Sequence, residues 1–125
     1  RTILIEPLNS QDAPGYFLST TGEGAEIIRE VGAPNLKLMF DCYHVQIMEG
    51  DLCRRLEGLL DVIGHIQFAA VPGRGEPGVG EIDYRFVFDH IAGLGYDAPL
   101  GAEYKPTGLP DDSLGWLKAW SDGSA

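Results

Sequence analysis

The sequence predicts an α/β fold of four consecutive β/α units, half of an eight-unit (β/α)8 barrel. Three observations predict it. Four short apolar runs are each followed by a helix-like segment, the alternation of a parallel sheet with helices outside it. Each run closes on a side chain bearing an oxygen donor, and no GxGxxG loop follows any run. A four-stranded doubly wound α/β domain is the alternative architecture, and the missing glycine loop weighs against it.

The first strand reads Ile3-Leu4-Ile5-Glu6. A helix over Gly22 to Val31 follows and ends at Gly32-Ala33-Pro34, where glycine and proline stop a helix. The second strand runs from Leu36 to Asp41, with Cys42 in the same apolar stretch. Leu52, Leu56, Leu59, Leu60 and Ile63 then fall on one helical stripe, with Asp51 placed to cap it.

The third strand spans Ile63 to Phe68. In its helix Asp83 is the expected cap, Val87, Ile91 and Leu94 face inward, and Gly95 supplies the left-handed end. The fourth strand is Leu100-Gly101-Ala102-Glu103. Asp111-Asp112 opens a last helix carrying Leu114, Leu117 and Trp120 inward, and both Trp116 and Trp120 are expected in packing.

The chain has 125 residues, 44% of them hydrophobic, which fits a single half-barrel domain over residues 1–125. A complete barrel needs about 250 residues. Two sheet edges are therefore expected to stand open, and the chain is expected to need a second half barrel, from a missing segment or by self-association. Arg1 leads almost directly into the first strand, as an excised piece would begin.

Nineteen acidic residues against nine basic ones give a net charge of −10. Such a chain lacks the basic footprint of a nucleic-acid binder, whereas its negative field attracts divalent cations. No apolar run is long enough to cross a bilayer, so no membrane partner is expected. Cys42 and Cys53 lack CxxC or zinc spacing. Buried thiols in a reducing, cytoplasmic setting are expected rather than a disulfide.

In a barrel the C-terminal strand ends converge on one mouth. Glu6, Asp41, Gln67 and Glu103, one per strand, would meet there as three carboxylates and an amide oxygen. This hard, oxygen-rich set suits Mg²⁺ or Mn²⁺. His65 lies two residues before Gln67, on the same strand face, where it would support the ligands. The Val71–Glu81 loop carries one cation, Arg74, whose planar fork suits a carboxylate. Lys105, two residues after Glu103, is a second candidate for holding an anionic substrate.

The ordered segments Leu4-Ile5-Glu6-Pro7-Leu8-Asn9, Asp41-Cys42-Tyr43-His44, His65-Ile66-Gln67, Val71 to Glu81 and Gly101-Ala102-Glu103-Tyr104-Lys105-Pro106 resemble the hydroxypyruvate isomerase family. That family is one of the xylose-isomerase-like TIM barrels, and the likeness covers its C-terminal half. The resemblance implies an isomerase that interconverts hydroxypyruvate and tartronate semialdehyde through a metal-stabilised enediolate. It implies that Glu6 and Glu103 transfer protons and touch the metal, that Asp41 and Gln67 complete the metal set, and that His44 lies near the metal and the substrate oxygens. Gln67 stands where keto-sugar epimerases usually have His, which tilts the resemblance toward the isomerase.

Two further readings accompany this one: a related 2-oxo-tetronate or keto-sugar isomerase or epimerase, and an inactive folded fragment or subunit of a split barrel. An abasic-site endonuclease is disfavoured. The charge is wrong for DNA, and only His44, His65 and His90 are present for a multi-histidine zinc cluster.

Overall fold

In the computed structural model, which describes residues 1–121, the strands Ile3–Ile5 (β1), Leu36–Asp41 (β2), Ile63–Phe68 (β3) and Leu100–Ala102 (β4) form one parallel sheet. Their order is β1-β2-β3-β4, each strand beside its sequence neighbour. A doubly wound sheet reverses direction at a switch point. This one does not, and its uniform winding is that of a half barrel.

The helices are Thr21–Val31 (α1), Cys42–Met48 (α2), Leu52–Leu59 (α3), Tyr84–Gly93 (α4) and Gly115–Ser121 (α5), the last preceded by a 3-10 turn over Asp111–Leu114. Helix α1 begins with a capping box: Thr20 accepts from the Glu23 N–H while the Glu23 carboxylate receives the Thr20 N–H. Gly32, at φ 67°, closes it in the left-handed conformation. Asp83 caps α4 by accepting from the Phe86 N–H, and Val87 and Ile91 are buried as expected, with Leu94 half-buried.

The structure corrects four details. Cys42 does not extend β2: it is the first residue of α2, a helix that no periodicity announces because Cys42, Tyr43, His44 and Val45 are all buried. A short helix enclosed on most sides has no polar stripe to reveal it. Helix α3 stops at Leu59, and Ile63 belongs to β3 alone. Asp51 stands at the start of α3 but is left-handed, at φ 53°, and makes no capping bond; its carboxylate meets Arg54 instead. On the last helix Leu114 and Leu117 are exposed, and the two tryptophans turn inward.

Strand alternation assigns the sheet faces. Leu38 and Phe40 are fully buried beneath the helices. Lys37, Met39 and Asp41 therefore project from the opposite face, the inner wall of the half barrel. Across the strands Met39 pairs with His65, Asp41 with Gln67, and Gln67 with Gly101, so these positions line that wall in layers. On β1, Leu4 pairs with Lys37, and Glu6 follows two residues later on the same side.

An aromatic cluster braces the C-terminal end of β3. The Phe68 ring meets Trp116 edge-on at 5.7 Å between centroids, and Phe88 meets Trp120 at 5.2 Å. Beside it the buried Tyr84 hydroxyl donates to the Ala69 carbonyl at 2.6 Å. Ala69 begins the segment leading into the 71–81 loop, so the cluster anchors the base of that loop.

Candidate active site

Each of the four strands ends within one residue of a predicted oxygen donor. Asp41 is the last residue of β2 and caps α2 with Oδ1, which accepts the Tyr43 N–H at 2.9 Å. Oδ2 of the same carboxylate is buried and has no hydrogen-bond partner. Oε1 of Glu6 and Oε1 of Gln67 share that condition. Buried polar atoms are satisfied in the great majority of cases, so three orphaned oxygens on adjacent strand ends require explanation. A divalent cation ligated by oxygen would satisfy all three at once, and the donor set fits one.

Glu6, Asp41 and His44 offer ligand atoms that lie within 4.8 Å of one another. His44 Nε2 stands 3.9 Å from Asp41 Oδ2, and the ring is buried. Glu103, just after β4, stands outside that compact group with its side chain half exposed, and is linked to it through Arg74. Its carboxylate takes a hydrogen bond of 3.1 Å from Arg74 Nη2, the same nitrogen that lies 3.9 Å from Asp41 Oδ2.

The electrostatics follow from crowding acids in a partly desolvated space. Burial, then the charges of Asp41 and Glu103, push the Glu6 carboxyl up to about 7, although Arg74 opposes them. Burial pushes Asp41 up to about 6 against the Tyr43 N–H and Arg74. His44 is held below its usual value, first by burial and then by Arg74, which favours the neutral ring.

Arg74 is presented by a distorted loop. Its own φ is 56°, a left-handed backbone uncommon for a residue with a side chain. Main-chain bonds hold that shape: the Arg74 N–H donates to Ala70, the Glu81 N–H to Val71, and the Lys105 N–H to Arg74. The guanidinium carbon lies 4.7 Å from the centre of the Tyr43 ring. That cation–π contact turns the fork toward Glu103 and Asp41.

The remaining candidates divide. His65 sits on the inner wall against Gly101, where an ideal Cβ would come within 2.8 Å of His65 Nε2. It lies two residues before Gln67 on the same strand face and is absent from the compact ligand group. Lys105 contributes its main chain, while its exposed side chain makes no hydrogen bond or ion pair among the described residues. The structure does not bring the Lys105 amine into the acidic group.

Three residues beside the site carried no assignment from the sequence. Asn9 is fully buried and contacts His44. Asp12 accepts the Tyr43 hydroxyl at 2.6 Å, a bond that lowers the Asp12 carboxyl and, with burial, pushes the Tyr43 phenol up to about 12. Asn9 lies inside the motif that begins at Leu4, but nothing in its spacing marks its partner, which is 35 residues away.

Parallel strands wound in sequence order, with polar groups gathered at their C-terminal ends, define half of a (β/α)8 barrel with its site at the usual face. The chain belongs to the xylose isomerase-like TIM barrel family, whose profile matches residues 2–120. It is 51% identical over 119 residues to a 2-oxo-tetronate isomerase of Cupriavidus necator, covering 95% of this chain and 46% of that protein. It is 44% identical over 115 residues to the hydroxypyruvate isomerase of Escherichia coli, covering 92% of this chain and 45% of the relative. A Brucella melitensis crystal structure described as an AP endonuclease, family 2, superposes with a TM-score of 0.92 at 39% identity, over 95% of this chain and 46% of the other. The chain thus spans about half the length of the relatives it matches.

Proposed function

We propose that the chain supplies the metal-binding and proton-transfer half of an isomerase acting on a small hydroxy-oxo acid, of the hydroxypyruvate type. The observation that carries this reading is the set of buried, unpartnered oxygens on Glu6, Asp41 and Gln67, with Glu103 and the Arg74 fork beside them. Relatives named hydroxypyruvate isomerase and 2-oxo-tetronate isomerase support the reaction class.

A Mg²⁺ or Mn²⁺ ion held by Glu6, Asp41, Gln67 and Glu103 would supply the positive centre that offsets the charge of an enediolate. The chain's own groups do the rest. Glu6 and Glu103 form the proton-transfer pair. One removes a proton from C3 of hydroxypyruvate; the C–H electrons form the C2–C3 double bond, and the carbonyl pair moves to O2. Protonation at C2 by the other, with loss of the O3 proton and gain of one at O2, yields tartronate semialdehyde. A carboxyl pushed up to about 7, as at Glu6, is matched to proton exchange near neutrality. Arg74 is placed to take the substrate carboxylate as a bidentate partner, and Lys105 is left as an outer attraction for the anion.

A second reading, the four-carbon 2-oxo-tetronate as substrate, is favoured by the higher identity to the Cupriavidus protein. Both substrates carry the carboxylate and adjacent oxygens this site would hold. In either reading a second half barrel covers the inner wall and pairs with the edges β1 and β4. The setting we infer is reducing and cytoplasmic, in keeping with free thiols at Cys42 and Cys53; among the described residues no helix is long and apolar enough to cross a membrane.

Calorimetric titration of Mn²⁺ or Mg²⁺ into the chain, beside a Glu6→Gln/Glu103→Gln variant, tests the centre. The expected result is one-site binding that the variant loses. Assays with hydroxypyruvate and 2-oxo-tetronate, with and without a complementary half barrel, then test the reaction. Equal metal binding by wild type and variant would remove the basis of the proposal.

A further inference from the structure

Asn9 is fully buried beside the acidic group, and every hydrogen-bonding atom of its side chain has a partner that fixes its orientation. One side-chain atom receives the main-chain N–H groups of Gln11 at 3.1 Å and Asp12 at 2.9 Å. Main-chain N–H groups only donate, so that atom is the amide oxygen and the other is the NH₂. The NH₂ has two hydrogens and two neighbours: Asp12 Oδ2 at 3.2 Å and His44 Nδ1 at 2.8 Å. The main-chain N–H of Asn9 reaches the same Nδ1 at 3.0 Å.

Two donors therefore converge on His44 Nδ1, which must carry its lone pair and no hydrogen. We infer that Asn9 is a positioning residue that locks His44 as the Nε2–H tautomer, which bars Nε2 from ligating the cation and presents it as a hydrogen-bond donor. The compact Glu6, Asp41 and His44 group suggests a ligand role for the histidine on distance alone; the tautomer decides against it. A ring nitrogen that bears a proton has no lone pair in the plane to give a metal. In the isomerase reading, on which this consequence rests, the Nε2–H faces the substrate oxygens, and the ligand set stays all-oxygen.

The tautomer is observable directly. Long-range ¹H–¹⁵N spectra of the labelled chain report each imidazole nitrogen, with His44 identified in a His65→Gln/His90→Gln variant that leaves it the sole histidine. The expected spectrum places Nδ1 at the shift of an unprotonated nitrogen and Nε2 at that of a protonated one. The reverse pattern, or two averaged shifts from exchanging tautomers, would overturn the inference.

Asn9→Asp keeps the oxygen that holds Gln11 and Asp12 but sets a carboxylate oxygen against Nδ1. Protonation should move onto Nδ1, and in an assembled active enzyme kcat should fall about tenfold with the Mn²⁺ affinity within about twofold. An unchanged kcat once Nδ1 carries the proton would remove Asn9 from the positioning of His44. If the variant does not fold, the wild-type spectrum still decides. A locked tautomer without isomerase activity in any assembly would count against the proposed reaction and leave the role of Asn9 standing.

Discussion

Arg74 Nη2 and Glu103 Oε2 lie 3.1 Å apart and join two segments separated by 29 residues. The pair places the loop's cation directly against one of the two proposed proton-transfer groups. Substrate would have to share that cation, so in the proposed function Arg74 would have two tasks: holding down the charge of the acids and receiving a carboxylate. Arg74→Lys keeps the charge but loses the planar fork and its stacking on Tyr43. In the assembled enzyme KM should rise by about tenfold or more, the scale of a lost charge-assisted bond, with a smaller change in kcat. An unchanged KM would remove Arg74 from substrate recognition.

The pH dependence of metal binding follows from Glu6. Its carboxyl stands at about 7 in the folded chain against an ordinary 4.5. The metal-free fold therefore holds a proton that the unfolded chain releases at lower pH. That contribution to stability is complete below the unfolded value and is lost as pH rises through about 7. A cation must displace the same proton, so affinity should increase with pH across this range. Calorimetry in buffers of different ionisation enthalpy should find proton release near pH 6 that shrinks by about pH 8. Release that does not vary with pH would show that Glu6 is not a ligand.

The four strands and their closing donors were legible because apolar runs and strand ends are local patterns. Placing Glu6, Asp41, Gln67 and Glu103 at one end of the sheet needs only strand phase and a parallel sheet. Helix α2 was not legible, since its buried Cys42 to Val45 stretch has no amphipathic period. Nor were the partners of Asn9, Asp12 and Tyr43, whose bonds span three dozen residues or fewer without any shared spacing. The packing of Trp116 and Trp120 was expected, but the exposure of Leu114 and Leu117 was missed for a related reason. A 3-10 turn over Asp111–Leu114 resets the helical phase before α5 begins.

The loop that carries Arg74 depends on Gly80. This residue has φ 95°, and an ideal Cβ would strike the carbonyl oxygen of Val71 while lying 3.3 Å from its carbonyl carbon. The neighbouring Glu81 N–H donates to that same Val71 carbonyl. Main chain cannot yield as a flexible side chain does. Gly80→Ala should cost about 2 kcal/mol, combining left-handed strain with displacement of Val71. Chemical denaturation measures the loss, and the ¹H–¹⁵N shifts of Arg74 and Glu81 should move with it. An alanine variant as stable as wild type would mean that the loop has another closed shape.

Asp41 sets the demands of the fold against those of the site within one carboxylate. Oδ1 caps α2 through the Tyr43 N–H, whereas Oδ2 is buried without a partner, and burial holds the carboxyl up near 6. For an acid with a raised value, stability is present below the unfolded value and lost as pH rises through the folded one, so at pH 8 the ionised group burdens the metal-free chain. Asp41→Asn retains an oxygen for the cap and removes the buried charge. The metal-free variant should therefore be more stable than wild type at pH 8 by about 2 kcal/mol, seen as a Tm higher by several degrees. Its affinity for Mn²⁺ should fall at least about tenfold, because a ligand charge has gone. Stability and binding moving in opposite directions is the signature of a group kept for a cation at a cost to the fold. A variant that is both less stable and still binds Mn²⁺ would assign Asp41 to α2 alone.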